Sequence, residues 1–174
     1  ISGFIGDQSR HLFNNLGTLA DCRYLEVGIL HGASLLSTCY GNAVRAVAID
    51  DWRSQDWSPN PAAVKANIEK FRGESHVMLM ERNCWEVDAN TIAPVNLFYY
   101  DGDHSQEATA KAFTHFAPAL QERFILVVDD YNWEAVRQGV ADGLARADMN
   151  AVWHQVLFTH EGDAAAWWNG VLVA

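Results

Sequence analysis

Short, nearly continuous apolar runs alternate with amphipathic segments along the chain. Such runs are typical of parallel strands that are covered on both faces, and the amphipathic segments have the spacing of helices that pack on a sheet. The predicted strands are residues 23–27, 44–50, 77–81, 95–100 and 124–128. The predicted helices are residues 6–20, 33–40, 61–72, 105–120 and 133–147. This alternation predicts an α/β fold of the Rossmann-like kind, with five parallel strands and helices on both faces.

The C-terminal segment breaks the alternation. Two apolar segments, residues 151–159 and 165–173, are joined by Glu161-Gly162-Asp163. Parallel neighbours need a connection of about a dozen residues or more, so these segments are predicted to form an antiparallel hairpin at one edge of the sheet. We therefore predict one domain over residues 1–174, with an N-terminal helix within 1–21 and the terminal hairpin within 150–174.

Composition narrows the class of protein. The 174 residues are 49% hydrophobic and include seven Trp, enough for one well-buried core. Twelve basic and twenty-two acidic residues give a net charge of −10 without a Lys/Arg cluster, which argues against nucleic acid as a partner. No apolar stretch reaches the length of a membrane span, and no signal core follows Ile1. Three widely spaced cysteines suit reduced core thiols, so the sequence predicts a cytoplasmic protein without membrane contact.

Acidic residues stand at the ends of four predicted strands. The carboxyl ends of parallel strands meet at one edge of the sheet, which is where open α/β folds bind ligands. So much negative charge at one edge requires a cationic partner. The acids that end these strands are Glu26, then Asp50 and Asp51, then Asp101, and finally Asp129 and Asp130.

A glycine-rich turn follows the first predicted strand. Its spacing, from Gly28 to Gly32, is Gly-x-x-x-Gly, which lacks the Gly-x-Gly-x-x-Gly pattern of a pyrophosphate cradle. The alternative is an ordinary tight turn. Glu26 could face an ammonium or sulfonium group, and Asp50 could accept both hydroxyls of a ribose. These two acids favour a nucleoside cofactor with a positively charged tail.

A second group of acids follows the fourth and fifth strands. Asp101, Asp129 and Asp130 offer oxygen ligands that suit Mg²⁺, although Asp129 and Asp130 can face one ion only if the chain turns there. The alternative is that one of this pair caps the next helix or supports a ligand from behind. His104 could remove a proton from a hydroxyl nucleophile near neutral pH, or it could merely bond to backbone beside a helix start.

Four sequence segments carry a resemblance to a known family. The chain resembles the class I S-adenosylmethionine-dependent methyltransferases, and more narrowly the metal-dependent macrolide-sugar O-methyltransferases. The segments are Leu25-Glu26-Val27-Gly28 with Gly32-Ala33-Ser34, Ala48-Ile49-Asp50, Asp101-Gly102-Asp103-His104-Ser105 and Val128-Asp129-Asp130-Tyr131. The resemblance implies S-adenosylmethionine and a divalent metal, Mg²⁺, as cofactors, and a small hydroxylated molecule, such as a sugar, as substrate.

The resemblance also assigns roles to individual residues. It implies that His104 is the catalytic base, with Asp101 as a second catalytic residue, and that Asp101, Asp129 and Asp130 are the metal ligands. It implies that Glu26, Gly28 and Ser34 hold the methionine end of the cofactor, that Asp50 holds its ribose, and that Asn83 and Cys84 lie near its adenine. Gly32, Asp51 and Asp101 are further predicted cofactor-binding residues. For Cys84, ordinary packing is the alternative.

The substrate side is less defined by the sequence. Trp52, Trp57, Tyr131 and Trp133 could stack on a sugar or an aromatic ring, or serve as lids and core plugs. Related sugar methyltransferases have extra N-terminal segments and often a Pro-Gly-Gly turn where this chain has residues 120–123. The pocket is therefore predicted to be open, or completed by another subunit of a homo-oligomer. Two alternative functions are a non-catalytic S-adenosylmethionine-binding domain and, less favoured by the glycine spacing, an NAD-dependent oxidoreductase.

Overall fold

A seven-stranded sheet forms the centre of the molecule, as a computed structural model describing residues 1–53 and 59–174 shows. The strand order is β3-β2-β1-β4-β5-β7-β6; strands β1 to β5 are parallel, and β7 is antiparallel to β5 and β6. The strands are β1 (Arg23–Val27), β2 (Arg45–Asp50), β3 (His76–Glu81), β4 (Val95–Tyr100), β5 (Leu120–Val128), β6 (Gln155–Leu157) and β7 (Val171–Val173). The predicted α/β fold, with its antiparallel C-terminal strands, is confirmed.

In the described part of the chain, five α-helices cover the two faces of this sheet. They are α1 (Asp7–Leu16), α2 (Ala33–Cys39), α3 (Pro61–Phe71), α4 (Gln106–Phe116) and α5 (Glu134–Arg146). Buried side chains of α1, α2 and α3 pack on one face, and those of α4 and α5 pack on the other. Because both faces are covered, the central strands are apolar on both sides: Tyr24 of β1 packs in the core on one face, and its neighbour Leu25 packs in the core on the other.

The terminal hairpin differs from its predicted form. Each of its strands has only three residues, and the connection is a long segment, residues 158–170, which we call the terminal loop. The loop folds against the start of α1, where the backbone amides of Asp7 and Gln8 donate to the carbonyls of Ala164 and Ala166. The chain turns at residues 160–163, where the amide of Asp163 donates to the carbonyl of His160. This turn does not join the two strands directly, so the predicted length of the hairpin strands is wrong.

The first helix is shorter than predicted. It ends at Leu16 and not at residue 20, and Gly17 is its C-cap. Position 17 requires glycine because a Cβ atom there would lie 2.2 Å from the carbonyl oxygen of Thr38. After β3, two 3₁₀ turns, Cys84–Glu86 and Ala89–Thr91, take the place of a full helix. This connection leads the chain past the carboxyl edge of the sheet and back to β4.

The three cysteines are free thiols; Cys22 and Cys39 are buried and Cys84 is half-buried. Within residues 1–53 and 59–174, none of the helices combines the length and the apolar character needed to cross a membrane.

Candidate active site

A cavity of about 950 Å³ lies along the carboxyl edge of the sheet. The ends of β1, β2, β4 and β5 line it, together with the 3₁₀ turn after β3 and the terminal loop. Most of the predicted site residues meet there; they are Gly28, Ser34, Asp50, Asp51, Asn83, Cys84, Asp101, His104, Asp129 and Asp130. Glu26 and Gly32 are outside the set of lining residues. The strand-end acids therefore converge as the sequence predicts.

The glycine turn brings two backbone segments into direct contact. Gly28 has φ of +85°, and a Cβ atom there would lie 2.0 Å from the carbonyl oxygen of Asp101. The amide of Gly28 donates to Ile49, and the amide of Asp101 donates to Val27, so the ends of three neighbouring strands are held together. Only glycine satisfies both the left-handed backbone and this close approach.

Asp50 holds the glycine turn in place through hydrogen bonds to its backbone. Its Oδ2 accepts hydrogen bonds from the amides of Ile29 and Leu30, both at 2.9 Å, and its Oδ1 accepts from the amide of Trp52 at 2.8 Å. The indole of Trp52 in turn donates to the carbonyl of Leu30 at 2.8 Å, and this side chain is largely buried. Asp50 and Trp52 thus fix the shape of the turn, and the ribose role of Asp50 stays a prediction.

Asp51 is less engaged than Asp50. Its Oδ1 accepts from the nearby Arg53 amide at 3.1 Å, and its Oδ2 lies 3.4 Å from Nδ2 of Asn83. Asp51 and Asn83 both line the cavity beside Cys84 and Trp85. This wall offers carboxylate and amide groups next to an apolar surface, which suits a nucleoside. Trp57 lies outside the described residues.

Glu26 lies behind the cavity wall. The side chain is fully buried, and the hydroxyl of Ser34, which does line the cavity, donates to its Oε1. Burial raises the pKa of Glu26 to about 8. Glu26 therefore orients Ser34 toward the cavity, and its direct contact with a ligand stays a prediction.

Asp101, His104 and Asp130 form a compact cluster on the other side of the cavity. Nε2 of His104 lies 2.8 Å from Oδ2 of Asp130 and 3.4 Å from Oδ1 of Asp101. One ligand atom from each of the three residues falls within 4.8 Å of the others, a spacing that could hold a metal ion. Asp130 has φ of +52°, so the chain turns there, and both Asp129 and Asp130 line the cavity. The turn that a shared ion would require is present.

Tyr99 links two of the acids and was missed by the sequence analysis. Its buried hydroxyl lies 2.7 Å from Oδ2 of Asp129 and 3.2 Å from Oδ2 of Asp101. A hydroxyl has one proton, so it can fully satisfy only one carboxylate at a time. Among the described residues, Oδ1 of Asp129 has no hydrogen-bond partner. The position of Tyr99, two residues before Asp101 on a strand, was the available signal.

The cluster carries more negative charge than its neighbours neutralise. Burial raises the pKa of Asp101 to about 6, and it raises the pKa of Asp129 well above its ordinary value. Burial alone would lower the pKa of His104, but hydrogen bonds and charge from Asp101 and Asp130 raise it to about 10. At neutral pH this raised pKa favours the imidazolium form of His104, and a cation that compensated the carboxylates would lower the pKa again.

Aromatic residues and an amide complete this side of the cavity. The ring of Trp133 meets that of His104 edge to face, with centroids 5.0 Å apart, whereas the predicted Tyr131 is not among the lining residues. Three further lining residues are not predicted by the sequence. The rings of Phe4 and Trp168 have centroids 5.6 Å apart, and Nδ2 of Asn169 donates to Oδ1 of Asp130 at 2.6 Å. These residues come from the two ends of the chain, where no motif marked them.

Comparisons with solved structures give the fold a known counterpart. The chain is similar to an O-methyltransferase from Bacillus cereus in complex with S-adenosylhomocysteine, with a TM-score of 0.67, 15% identity, and coverage of 95% of this chain and 78% of that one. It is similar to the Streptomyces achromogenes O-methyltransferase TomG in complex with S-adenosylmethionine, with a TM-score of 0.64, 17% identity, and coverage of 95% and 77%.

A third similar structure is the precorrin 8w decarboxylase of Methanobacterium thermoautotrophicum, with a TM-score of 0.63, 17% identity, and coverage of 94% and 86%. No curated protein matches the sequence. A family model described as a methyltransferase domain matches residues 25–131, which include every predicted site residue from Glu26 to Asp130. The chain therefore belongs to this family of methyltransferase domains, and its fold is that of the class I S-adenosylmethionine-dependent methyltransferases.

Proposed function

We propose that this protein transfers the methyl group of S-adenosylmethionine to a hydroxyl of a small molecule, a sugar or another hydroxylated metabolite, with the help of a divalent metal ion, Mg²⁺. The observation that carries this proposal is the cluster of Asp101, His104 and Asp130 in the same cavity as the glycine turn. A methyl donor and an acidic cluster that needs a cation would then share one chamber.

The cofactor fits the half of the cavity that the ends of β1 and β2 form. Gly28 keeps side-chain atoms away from the turn, and Ser34 presents an oxygen that Glu26 holds in place. Asp51 and Asn83 supply the polar groups that a ribose and an adenine require. A volume of about 950 Å³ is at the upper end for ligand pockets, which leaves room for an acceptor beside the cofactor.

The donor set of the other half suits a hard divalent ion. Asp101 and Asp130 would hold it with carboxylate oxygens. Asp129, the third predicted ligand, lines the cavity but lies outside this cluster, and its buried Oδ1 has no hydrogen-bond partner among the described residues. Such an ion, when bound, supplies positive charge that lowers the pKa of a coordinated hydroxyl. His104 contributes an imidazole nitrogen at the same point, either as a ligand or as a base.

The residues of the chain then divide the work of the reaction. With S-adenosylmethionine bound, the acceptor oxygen would form a bond to the methyl carbon as the bond from that carbon to sulfur breaks, and S-adenosylhomocysteine would leave. Nε2 of His104 takes the proton of the hydroxyl. Trp133 packs against the imidazole and limits its contact with water. Transfer needs little further covalent help because the sulfonium is already a strong electrophile.

Calorimetry tests the two cofactors separately. We expect S-adenosylhomocysteine to bind both with and without Mg²⁺, and NAD not to bind. A titration with Mg²⁺ alone should give a separate heat of binding. Binding of NAD in place of the homocysteine product would favour the oxidoreductase alternative. Binding of the product without any Mg²⁺ signal would remove the metal from the proposal and leave the cofactor.

A screen of hydroxylated metabolites with S-adenosylmethionine tests the catalysis. We expect at least one acceptor to release S-adenosylhomocysteine, and an Asp101→Asn variant to keep cofactor binding while losing turnover. If no acceptor of any chemical class is methylated although the cofactor binds, the non-catalytic alternative is favoured. The same screen with a sizing column addresses whether a homo-oligomer completes the pocket.

A further inference from the structure

Asn169 connects the terminal loop to the acidic cluster. It is buried, and it lines the cavity just before β7. Its Nδ2 donates to Oδ1 of Asp130 at 2.6 Å, and its Oδ1 accepts from the amide of Gly162 at 2.8 Å. Its backbone carbonyl accepts from the amide of Asn132 at 3.0 Å. The residue thus joins the fold of the loop to the carboxylate of a proposed metal ligand.

The orientation of the Asn169 amide follows from these partners. A backbone N–H can only donate, so the amide of Gly162 requires the oxygen of the Asn169 side chain on its side. The nitrogen is then forced toward Asp130, where an ionised carboxylate can only accept. The terminal loop therefore decides which group of Asn169 meets the acid.

We propose that Asn169 is a positioning residue that sets the Asp130 carboxylate, an inference that rests on the proposed function. By occupying Oδ1 of Asp130, it leaves Oδ2 directed at His104, 2.8 Å from Nε2. Asp130 stands on a left-handed backbone, which does not by itself fix the side-chain rotamer. Without the amide, the carboxylate can rotate and no longer presents one oxygen to a shared ligand.

Asn132 provides a matched control. Its Nδ2 donates to the carbonyl of Thr159 at 2.6 Å, so it also ties the terminal loop to the turn after β5. In the described part of the chain its side chain makes no hydrogen bond to Asp130. Asn132→Ala should therefore loosen the same loop without releasing the carboxylate, whereas Asn169→Ala should do both.

Crystal structures without metal test the positioning directly. In Asn169→Ala we expect Asp130 to change rotamer and its 2.8 Å contact with His104 to be lost, while residues 158–170 loosen no more than they do in Asn132→Ala. Asn169→Asp keeps the acceptor for Gly162 but removes the donor, so it should move Asp130 even where the alanine variant is poorly folded. Asn132→Ala should leave Asp130 in place. An unmoved Asp130 in both Asn169 variants, or an equal movement in Asn132→Ala, would overturn the proposal.

Calorimetric titration with Mn²⁺ in the presence of S-adenosylhomocysteine gives a second measure. Asn169→Ala should weaken Mn²⁺ binding about 10- to 100-fold, with the affinity for the homocysteine product unchanged and Asn132→Ala matching the wild type. Wild-type affinity for Mn²⁺ in Asn169→Ala would contradict the positioning role. If the wild type binds the product but no Mn²⁺, the metal part of the proposed function fails, and the crystal structures still decide the role of Asn169.

Discussion

Aspartate side chains have different hydrogen-bond partners in the two halves of the cavity. At the end of β2, the carboxylate of Asp50 accepts three backbone amides and is held in one place. At the end of β5, the partners of the Asp130 carboxylate are the side chains of His104 and Asn169. Oδ1 of the neighbouring Asp129 lacks a hydrogen bond among the described residues. The first half is a completed scaffold, and the second carries charge that requires a cation.

The turn that follows each strand causes this difference. After β2, the chain passes beneath the glycine turn, whose amides point at Asp50. After β5, the left-handed backbone of Asp130 directs consecutive acids into the cavity, where few backbone donors reach them. An acid at a strand end therefore stabilises the fold where the next turn supplies backbone amides that donate to it. Where the turn supplies few, the acid stays available for a cation or a ligand.

The largest expected effect concerns the half of the cavity around the glycine turn. Gly28→Ala should lower the free energy of unfolding by about 3 kcal/mol or more, because it combines a left-handed backbone with a Cβ atom 2.0 Å from a carbonyl oxygen. Urea denaturation measures the change. Gly41→Ala is the control and should cost only about 1–2 kcal/mol. Gly41 has φ of +72°, but a Cβ atom there would meet no atom of a non-neighbouring described residue within 4 Å. Equal losses in the two variants would contradict the close approach.

The next effect concerns the cation half. Asp130→Asn should weaken Mn²⁺ binding about 100-fold, because it removes a charge while Asn still tolerates the left-handed backbone. The affinity for S-adenosylhomocysteine should stay at the wild-type value. Calorimetry measures both, and Asp142→Asn on α5 is the control that should change neither. A loss of both affinities would show that the two halves are not separate.

A pH-dependent effect is expected at Glu26. With a folded pKa of about 8 and an unfolded pKa near its ordinary value, the folded protein holds this proton more tightly, so the contribution of Glu26 to stability is lost as pH rises toward 8. Glu26→Gln should therefore gain stability relative to the wild type by about 1 kcal/mol per pH unit between pH 5 and 8. Urea unfolding at several pH values measures this difference. A constant difference across that range, as expected for the exposed control Glu122→Gln, would contradict the raised pKa.

The smallest effect sharpens the assignment of the cofactor wall. Asp51→Asn should weaken S-adenosylhomocysteine binding about 5- to 10-fold, since it weakens one hydrogen bond to a hydroxyl, about 1 kcal/mol. The Mn²⁺ affinity should not change. The exposed Glu74→Gln is the control variant for calorimetry. An unchanged affinity in Asp51→Asn would move the ribose contact to Asp50.

Local patterns were sufficient for the sheet and for the convergence of the acids. The bounds of β1 and β4 match the predictions because each is an apolar run that ends at a charged residue or a turn. The condition for Asp129 and Asp130 to face one cavity, a turn in the chain, is met by the backbone of Asp130. Such features depend on residues that are close together in the sequence, so they can be predicted from one sequence.

The features that the sequence did not predict depend on distant contacts. The apolar residues of the terminal loop predict a strand, but in the structure its backbone accepts hydrogen bonds from the start of the N-terminal helix, at Asp7 and Gln8. Asn169 lies 39 positions from Asp130, and Tyr99 lies 30 positions from Asp129. Neither pair forms a sequence motif. The hydrogen bonds from backbone amides to Asp50 cannot be predicted from residue types, because every residue except proline has a backbone amide.

Co-crystallisation with S-adenosylhomocysteine and Mn²⁺ tests most directly the claim that one sheet edge carries two separate sites. We expect the product between the glycine turn and Asn83, and one anomalous manganese peak beside Asp101 and Asp130. A manganese peak elsewhere, no peak at saturating Mn²⁺, or product density outside the glycine-turn half would contradict the claim.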